Sequence, residues 1–237
     1  MNRFFPLFAI LLPMTFASAL AAQETDWAAI MAETAWDWHP GDLVFRNGLN
    51  AFDDTLRQAQ GAEWASVGIM RASSGSPRVV YADEVEGVTE VMVEQFLDGL
   101  DEGDYAVYRI EALDPNRTGK QMEQGPIAEF VLRKAYEAPF DPWMQLGNGR
   151  YYNAELPYRA ALAAGVDLGP LVPLRKVAAR NDAVKALLLQ DWRANPACQP
   201  ESGITTKAAC WDAIADGAVI TTDGIRNSAA VTRIFPN

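Results

Sequence analysis

The chain has 237 residues, with 31 acidic and 20 basic side chains, a formal net charge of −11 and 49% hydrophobic residues. That length supports one sizeable core or two small ones. An acidic surface without basic blocks argues against nucleic acid and anionic membrane surfaces as partners. Arg3 gives a short positive start, Phe4–Phe16 is an apolar run, and Ala19-Leu20-Ala21 forms an A-x-A cleavage site. The run is too short for a bilayer span and carries Pro6 and Pro13, so a cleaved signal is favoured over a membrane anchor. Residues 1–21 therefore read as a secretory signal peptide and residues 22–237 as a single mature domain. The expected compartment is the periplasm or the medium, with no integral membrane segment after cleavage.

Thr25 or Asp26 caps a short helix to Glu33, and Pro40-Gly41-Asp42 turns into an apolar strand at Leu43-Val44-Phe45. Asp53-Asp54 starts a helix to the region of Glu63. Strands are expected at Ser66–Met70 and Arg78–Ala82 around a Ser/Gly/Pro turn, then a short helix capped by Thr89, then a half-buried strand at Tyr105–Ile110. Pro126 opens a helix whose apolar face is Ile127, Phe130, Val131 and Tyr136. Another helix follows Tyr151-Tyr152-Asn153 and ends before Gly165. Asn181 caps a further helix through Trp192, and Val219–Phe235 reads as strands about a Thr222-Asp223-Gly224 turn. Strands first and helices later, without regular alternation, predict an α+β fold. Cys198 and Cys210 are the only cysteines; in an exported chain they read as a disulfide closing a loop near the C-terminus, with a reactive thiol as the alternative.

Three segments together resemble the circularly permuted papain-like amidases of the YaeF/YiiX type, in the NlpC-like cysteine hydrolase superfamily. They are Gly41-Asp42-Leu43-Val44-Phe45, Ala65-Ser66-Val67-Gly68-Ile69 and Tyr151-Tyr152-Asn153-Ala154-Glu155-Leu156. The family usually reads Ser-His-Val-Gly-Ile in the second and Tyr-Tyr-Cys-Ser-Glu-Leu in the third. Phe140-Asp141 and Val219-Ile220-Thr221 add to the likeness. The resemblance implies a permuted papain-like (NlpC-like) fold, an antiparallel sheet or partial barrel packed on helices. It also implies a cysteine nucleophile at a helix start, activated by a histidine and oriented by a third polar residue. Here those positions hold Asn153, Ser66 and Tyr81. A carboxamide is not a nucleophile and a serine hydroxyl is no base near neutral pH, so no catalytic set is intact and the chain reads as a degenerate member.

Ser66, Tyr81, Asp141, Tyr152, Asn153 and Glu155 are the candidate cleft residues. Four of them also have a structural reading: Asn153 as a helix N-cap, Ser66 and Tyr81 as packed strand residues, Glu155 at a positive helix end. His39, the only histidine, reads as packed beside Trp36 and Trp38. Asp83, Glu84, Glu86 and Glu90 fit no calcium loop and read as a solvated edge. The Asn116-Arg117-Thr118 sequon has nothing in the chain to show that it is used. No metal set and no cofactor is expected. The expected function is a non-catalytic envelope protein binding a small ligand, a peptide, muropeptide or acyl group, in the degenerate cleft. The alternatives are a hydrolase using Asp141, Glu155 or Tyr81 in acid–base roles, and a structural protein contacting a partner through its acidic surface or the Trp27–Trp38 segment.

Overall fold

A computed structural model describes residues 35–101, 103–115, 124–179 and 181–236. The expected signal segment, the helix expected after Thr25 and the Asn116 sequon lie outside them. Gly41 takes a φ of 95°, which suits glycine, and turns the chain into β1 (Leu43–Arg46). Helix α1 (Ala51–Gln60) is capped by Asn50, whose side chain accepts the Asp53 N–H at 2.7 Å, and ends at Gly61 with φ 66°. Asp53, expected to open this helix, lies instead within its first turn. Strands β2 (Ser66–Arg71), β3 (Arg78–Asp83) and β4 (Gly87–Met92) follow, then α2 (Val93–Phe96) and β5 (Tyr105–Arg109). Thr89 thus lies in a strand and caps no helix, because Val88, Thr89 and Val91 pair antiparallel with β3; the expected short helix begins only at Val93.

Helix α3 (Gly125–Phe130) has Pro126 in its first turn and continues as a π-helical turn over Val131–Ala135. After it come α4 (Glu155–Ala163), β6 (Val172–Pro173), α5 (Leu174–Ala178) and α6 (Asp182–Leu188), the last capped by Asn181. Then come α7 (Lys207–Ile214), β7 (Ala218–Val219), α8 (Thr222–Arg226) and β8 (Thr232–Phe235). The turn expected at Thr222-Asp223-Gly224 is the first turn of α8, since Thr221 accepts the Gly224 N–H at 3.0 Å and caps it.

Six strands form one antiparallel sheet in the order β4-β3-β2-β1-β5-β8, and β6 and β7 form a separate pair. Leu43, Phe45, Val67, Ile69, Val80 and Ala82 pack in one buried cluster with Leu56 of α1, Ile127 of α3 and Leu156 of α4. A second cluster holds Val44, Met70, Val79, Tyr81 and Val107 with Trp36, Trp38 and Phe96. Trp38 is fully buried and Trp36 nearly so, hence these two tryptophans are core and not a contact surface. At about 25 cal/mol per Å² of apolar area, burying such large rings favours folding strongly. The fold is mixed α+β with an antiparallel sheet, as the element pattern implies.

Cys198, in a 3₁₀ turn after α6, is bonded to Cys210 of α7, so no free thiol remains. The closed loop spans 12 positions. Chain-entropy reasoning assigns such a loop about 3 kcal/mol. Adding reductant should therefore lower the denaturation midpoint without abolishing the fold. An unchanged midpoint, with thiol titration showing full reduction, would remove this contribution.

Candidate functional site

Asp53 lies on the inward stripe of α1, three residues before Leu56, and is 3% exposed. One carboxylate oxygen, Oδ2, is the hub of a buried polar knot. It accepts Ser66 Oγ–H at 2.6 Å and Asn50 Nδ2–H at 3.0 Å, and it also accepts Asn153 Nδ2–H. Asn153 in turn accepts the backbone N–H of Ala82 through Oδ1 at 2.9 Å. The β2–β3 pairing runs from Arg71↔Arg78 to Ile69↔Val80, and Ala82 lies just beyond it. The carboxamide thus takes a strand donor that the ladder leaves open, as buried backbone donors require. Ser66 and Asn153 are 0% and 1% exposed, so this knot is closed to solvent. Burial pushes the Asp53 carboxyl up to about 6, against the lowering effect of its Ser66, Asn153 and Asn50 hydrogen bonds.

Asn153 is therefore not the side-chain cap of α4. Glu155 N–H and Leu156 N–H both point to the Tyr152 carbonyl, at 3.0 and 3.3 Å, and no side chain caps the helix. Pro157 sits in the first turn, where its missing N–H costs nothing. Tyr81 belongs to the second cluster, its ring 5.4 Å from that of Phe96, and is not a hydrogen-bond partner of Asp53. Burial raises its phenol above the ordinary value.

Asp141 and Glu155 organise the loop between Phe140 and Tyr151. Asp141 accepts from Trp143 N–H at 3.0 Å, Gln145 N–H at 2.7 Å and Asn148 Nδ2–H at 3.1 Å. Glu155 Oε1 accepts Gly147 N–H at 2.8 Å, while the buried Oε2 has no hydrogen-bond partner. Burial drives the Glu155 carboxyl up to about 8, with the Asp141 charge adding to it and the Gly147 bond and Arg159 opposing it. Tyr152 is 2% exposed; its hydroxyl donates to the Ile220 carbonyl at 3.2 Å and accepts Ile220 N–H at 3.0 Å. Of the candidate residues, the structure joins Ser66 to Asn153 through Asp53, and Asp141 to Glu155 through the loop.

The residue that sequence reasoning missed is Asp53. Its signal was an acid at the i−3 position from Leu56, on the apolar face of a helix, where a carboxylate needs partners. His39 is mostly buried elsewhere, Nδ1 at 3.0 Å from both carboxylate oxygens of Asp114. In the acidic stretch, Glu90 pairs with Arg71 and Arg78, and Asp83 accepts the Val85 and Glu86 N–H groups of the β3–β4 turn. Among the described residues, no three His, Cys, Asp or Glu side chains are gathered so as to hold a metal ion.

Beside the closed knot is an open groove of about 760 Å³. Phe52, adjacent to Asp53 in α1, lines it, with Phe140 and Trp143 from the loop and Glu84 and Val85 from the β3–β4 turn. Glu84 ties two of these walls together by accepting the Phe52 N–H at 2.9 Å. Gly87 lets the β3–β4 turn approach the segment around Ala138: its φ is 75°, and a Cβ there would lie 2.3 Å from the Ala138 carbonyl oxygen. The volume is in the range of small-ligand sites.

No family model and no curated protein matches the sequence. Among solved structures, the chain is similar to the metalloprotein YiiX from Escherichia coli O157:H7 (DUF1105), with a TM-score of 0.62 and 18% identity. The match covers 83% of this chain and 97% of that one. At that identity the likeness is one of fold, and it agrees with the resemblance carried by the three sequence segments. The protein therefore has a YiiX-like, permuted papain-like α+β fold.

Proposed function

We propose that this protein is an exported, non-catalytic binding protein that takes a cell-envelope ligand, a peptide, muropeptide or acyl group, in the groove beside its degenerate catalytic position. The observation that carries this reading is the knot. Ser66 and Asn153 stand where the resemblance expects base and nucleophile, and both are committed to the buried Asp53 carboxylate. Losing either member of a nucleophile–base pair costs about 10⁴ to 10⁶ in turnover. Both are replaced here, and both cysteines are in the disulfide. The carboxylates of the alternative hydrolase, Asp141 and Glu155, hold a loop by accepting its backbone N–H groups.

Two measurements test this. The purified protein should show no hydrolysis of amide, ester or peptidoglycan substrates that is sensitive to thiol-alkylating reagents. One of the three ligand classes should raise its melting temperature, as a ligand at a hundred times its Kd stabilises by about 2.7 kcal/mol. A thiol-dependent rate that follows the protein through purification would overturn the non-catalytic reading. Absence of any thermal shift with muropeptides, peptides and acylated compounds would overturn the binding reading.

A further inference from the structure

The proposed binding role leaves the ligand class open, and the lining of the groove narrows it. Four carboxylates come from three separate segments: Glu84 and Glu86 from the β3–β4 turn, Glu137 after the π-helical turn, and Asp191 after α6. None of them forms an ion pair among the described residues. Elsewhere the chain pairs its acids readily: Asp42 with Arg109, Glu90 with Arg71 and Arg78, Glu63 with Arg226, Asp216 with Arg175. The groove contains one cation, Arg150, and the fold already holds it. Its guanidinium donates to the Phe140 carbonyl at 3.2 Å and lies 5.4 Å from the Trp143 ring centroid. An occupant of this groove therefore meets an excess of negative charge above an apolar surface made by Phe52, Phe140 and Trp143.

Charge and shape together select the occupant. Like-signed ligands are repelled from a cleft whose walls focus one sign of charge, and cations are drawn into it. A bare metal ion or simple amine would leave the aromatic surface uncovered. We propose that the groove binds an extended basic peptide segment, seating a lysine or arginine among Glu84, Glu86, Glu137 and Asp191 and an adjacent apolar side chain on Phe52, Phe140 and Trp143. This inference rests on the binding role proposed above and identifies its ligand class.

The test uses the purified protein in equilibrium dialysis against a pool of end-blocked hexapeptides, each carrying two lysines among randomised neutral residues. The same pool with its lysines acetylated serves as the comparison, and spermidine as a competitor. The lysine pool should be retained at least about tenfold better than the acetylated pool, with retention falling as salt rises. Glu86→Gln with Asp191→Asn, both at exposed positions, should weaken retention about tenfold without changing the melting temperature. Glu201→Gln with Asp212→Asn, exposed acids outside the groove, should leave it unchanged. Equal retention of the two pools overturns the inference, as does equal weakening by the two double variants. Full displacement by an equimolar concentration of spermidine overturns the peptide assignment. If muropeptides or acyl compounds shift the melting temperature while the lysine pool is not retained, this inference fails and the binding role stands. If nothing binds, both fail.

Discussion

Above pH 8, Glu155→Gln should be more stable than the wild-type protein, while near pH 4.5 the two should unfold at nearly the same denaturant concentration. Glu155 opens α4 with its side chain fully buried, one oxygen bonded to Gly147 N–H and the other without a partner. Burial is the main reason that its carboxyl rises from 4.5 to about 8. The folded state thus holds this proton more tightly than the unfolded state. Stability from this group is complete below pH 4.5 and is lost as pH rises toward 8, by up to about 5 kcal/mol. Glutamine has the shape of the neutral acid, keeps an acceptor for Gly147 and does not titrate. Urea denaturation of both proteins between pH 4.5 and 9 measures the difference. Parallel stability curves would show that Glu155 does not carry a raised pKa, and the account of the loop would lose its electrostatic part.

Asp53 should separate two effects when replaced. Asp53→Ala removes the acceptor shared by Ser66 Oγ–H and Asn153 Nδ2–H, both fully buried, and opens a small cavity. A buried donor left unsatisfied costs about 1–3 kcal/mol, so the alanine variant should lose about 3–5 kcal/mol. That is a large part of the 5–15 kcal/mol typical of a folded domain. Asp53→Asn keeps an oxygen for those donors and should lose much less. It should also remove a pH dependence. With its carboxyl raised from 3.8 to about 6, Asp53 contributes stability that is present below pH 3.8 and lost as pH rises through 6, about 3 kcal/mol in all. The wild-type protein should therefore decline relative to the asparagine variant between pH 4 and 6.5. An alanine variant as stable as wild type at every pH would mean that Asp53 does not join Ser66 and Asn153. The structural basis for the non-catalytic reading would then be gone.

These two acids titrate in the same direction, and burial also raises Asp141. All three favour the folded state when protonated, so each of them contributes more stability on the acidic side of its titration. Asp53, Asp141 and Glu155 hold the knot and the loop, which join β2, β3, α1 and α4 around the groove; Asp42, also raised by burial, is paired with Arg109 elsewhere. The acids on the groove itself are exposed or bonded at a helix start, and they remain available to a ligand.

The strands at 43–46, 66–71, 78–83 and 105–109 were determined locally. Each is a run of apolar and β-branched residues bounded by glycine, proline or polar turn residues, and the structure keeps those bounds within a residue or so. The pairing of Cys198 with Cys210 followed from their being the only two cysteines in a chain whose first residues read as an export signal. The order of three short segments was sufficient to indicate the fold, because they mark the elements that frame the site. Tertiary structure alone decided the rest. Thr89 is strand because β3 lies alongside it, a partner that a short mixed run cannot specify by itself. Asn153 looked like a cap because its neighbours in sequence form a helix, yet its carboxamide is held by Asp53, 100 residues away, and by Ala82, 71 away. Asp53 read only as the start of a helix, whereas the packed sheet buries its carboxylate. The groove is assembled from segments near 52, 85, 140 and 190. Local propensity and hydrophobic period act over a few residues, whereas a buried carboxylate finds its donors, and a groove its walls, only through contacts between segments far apart in the chain.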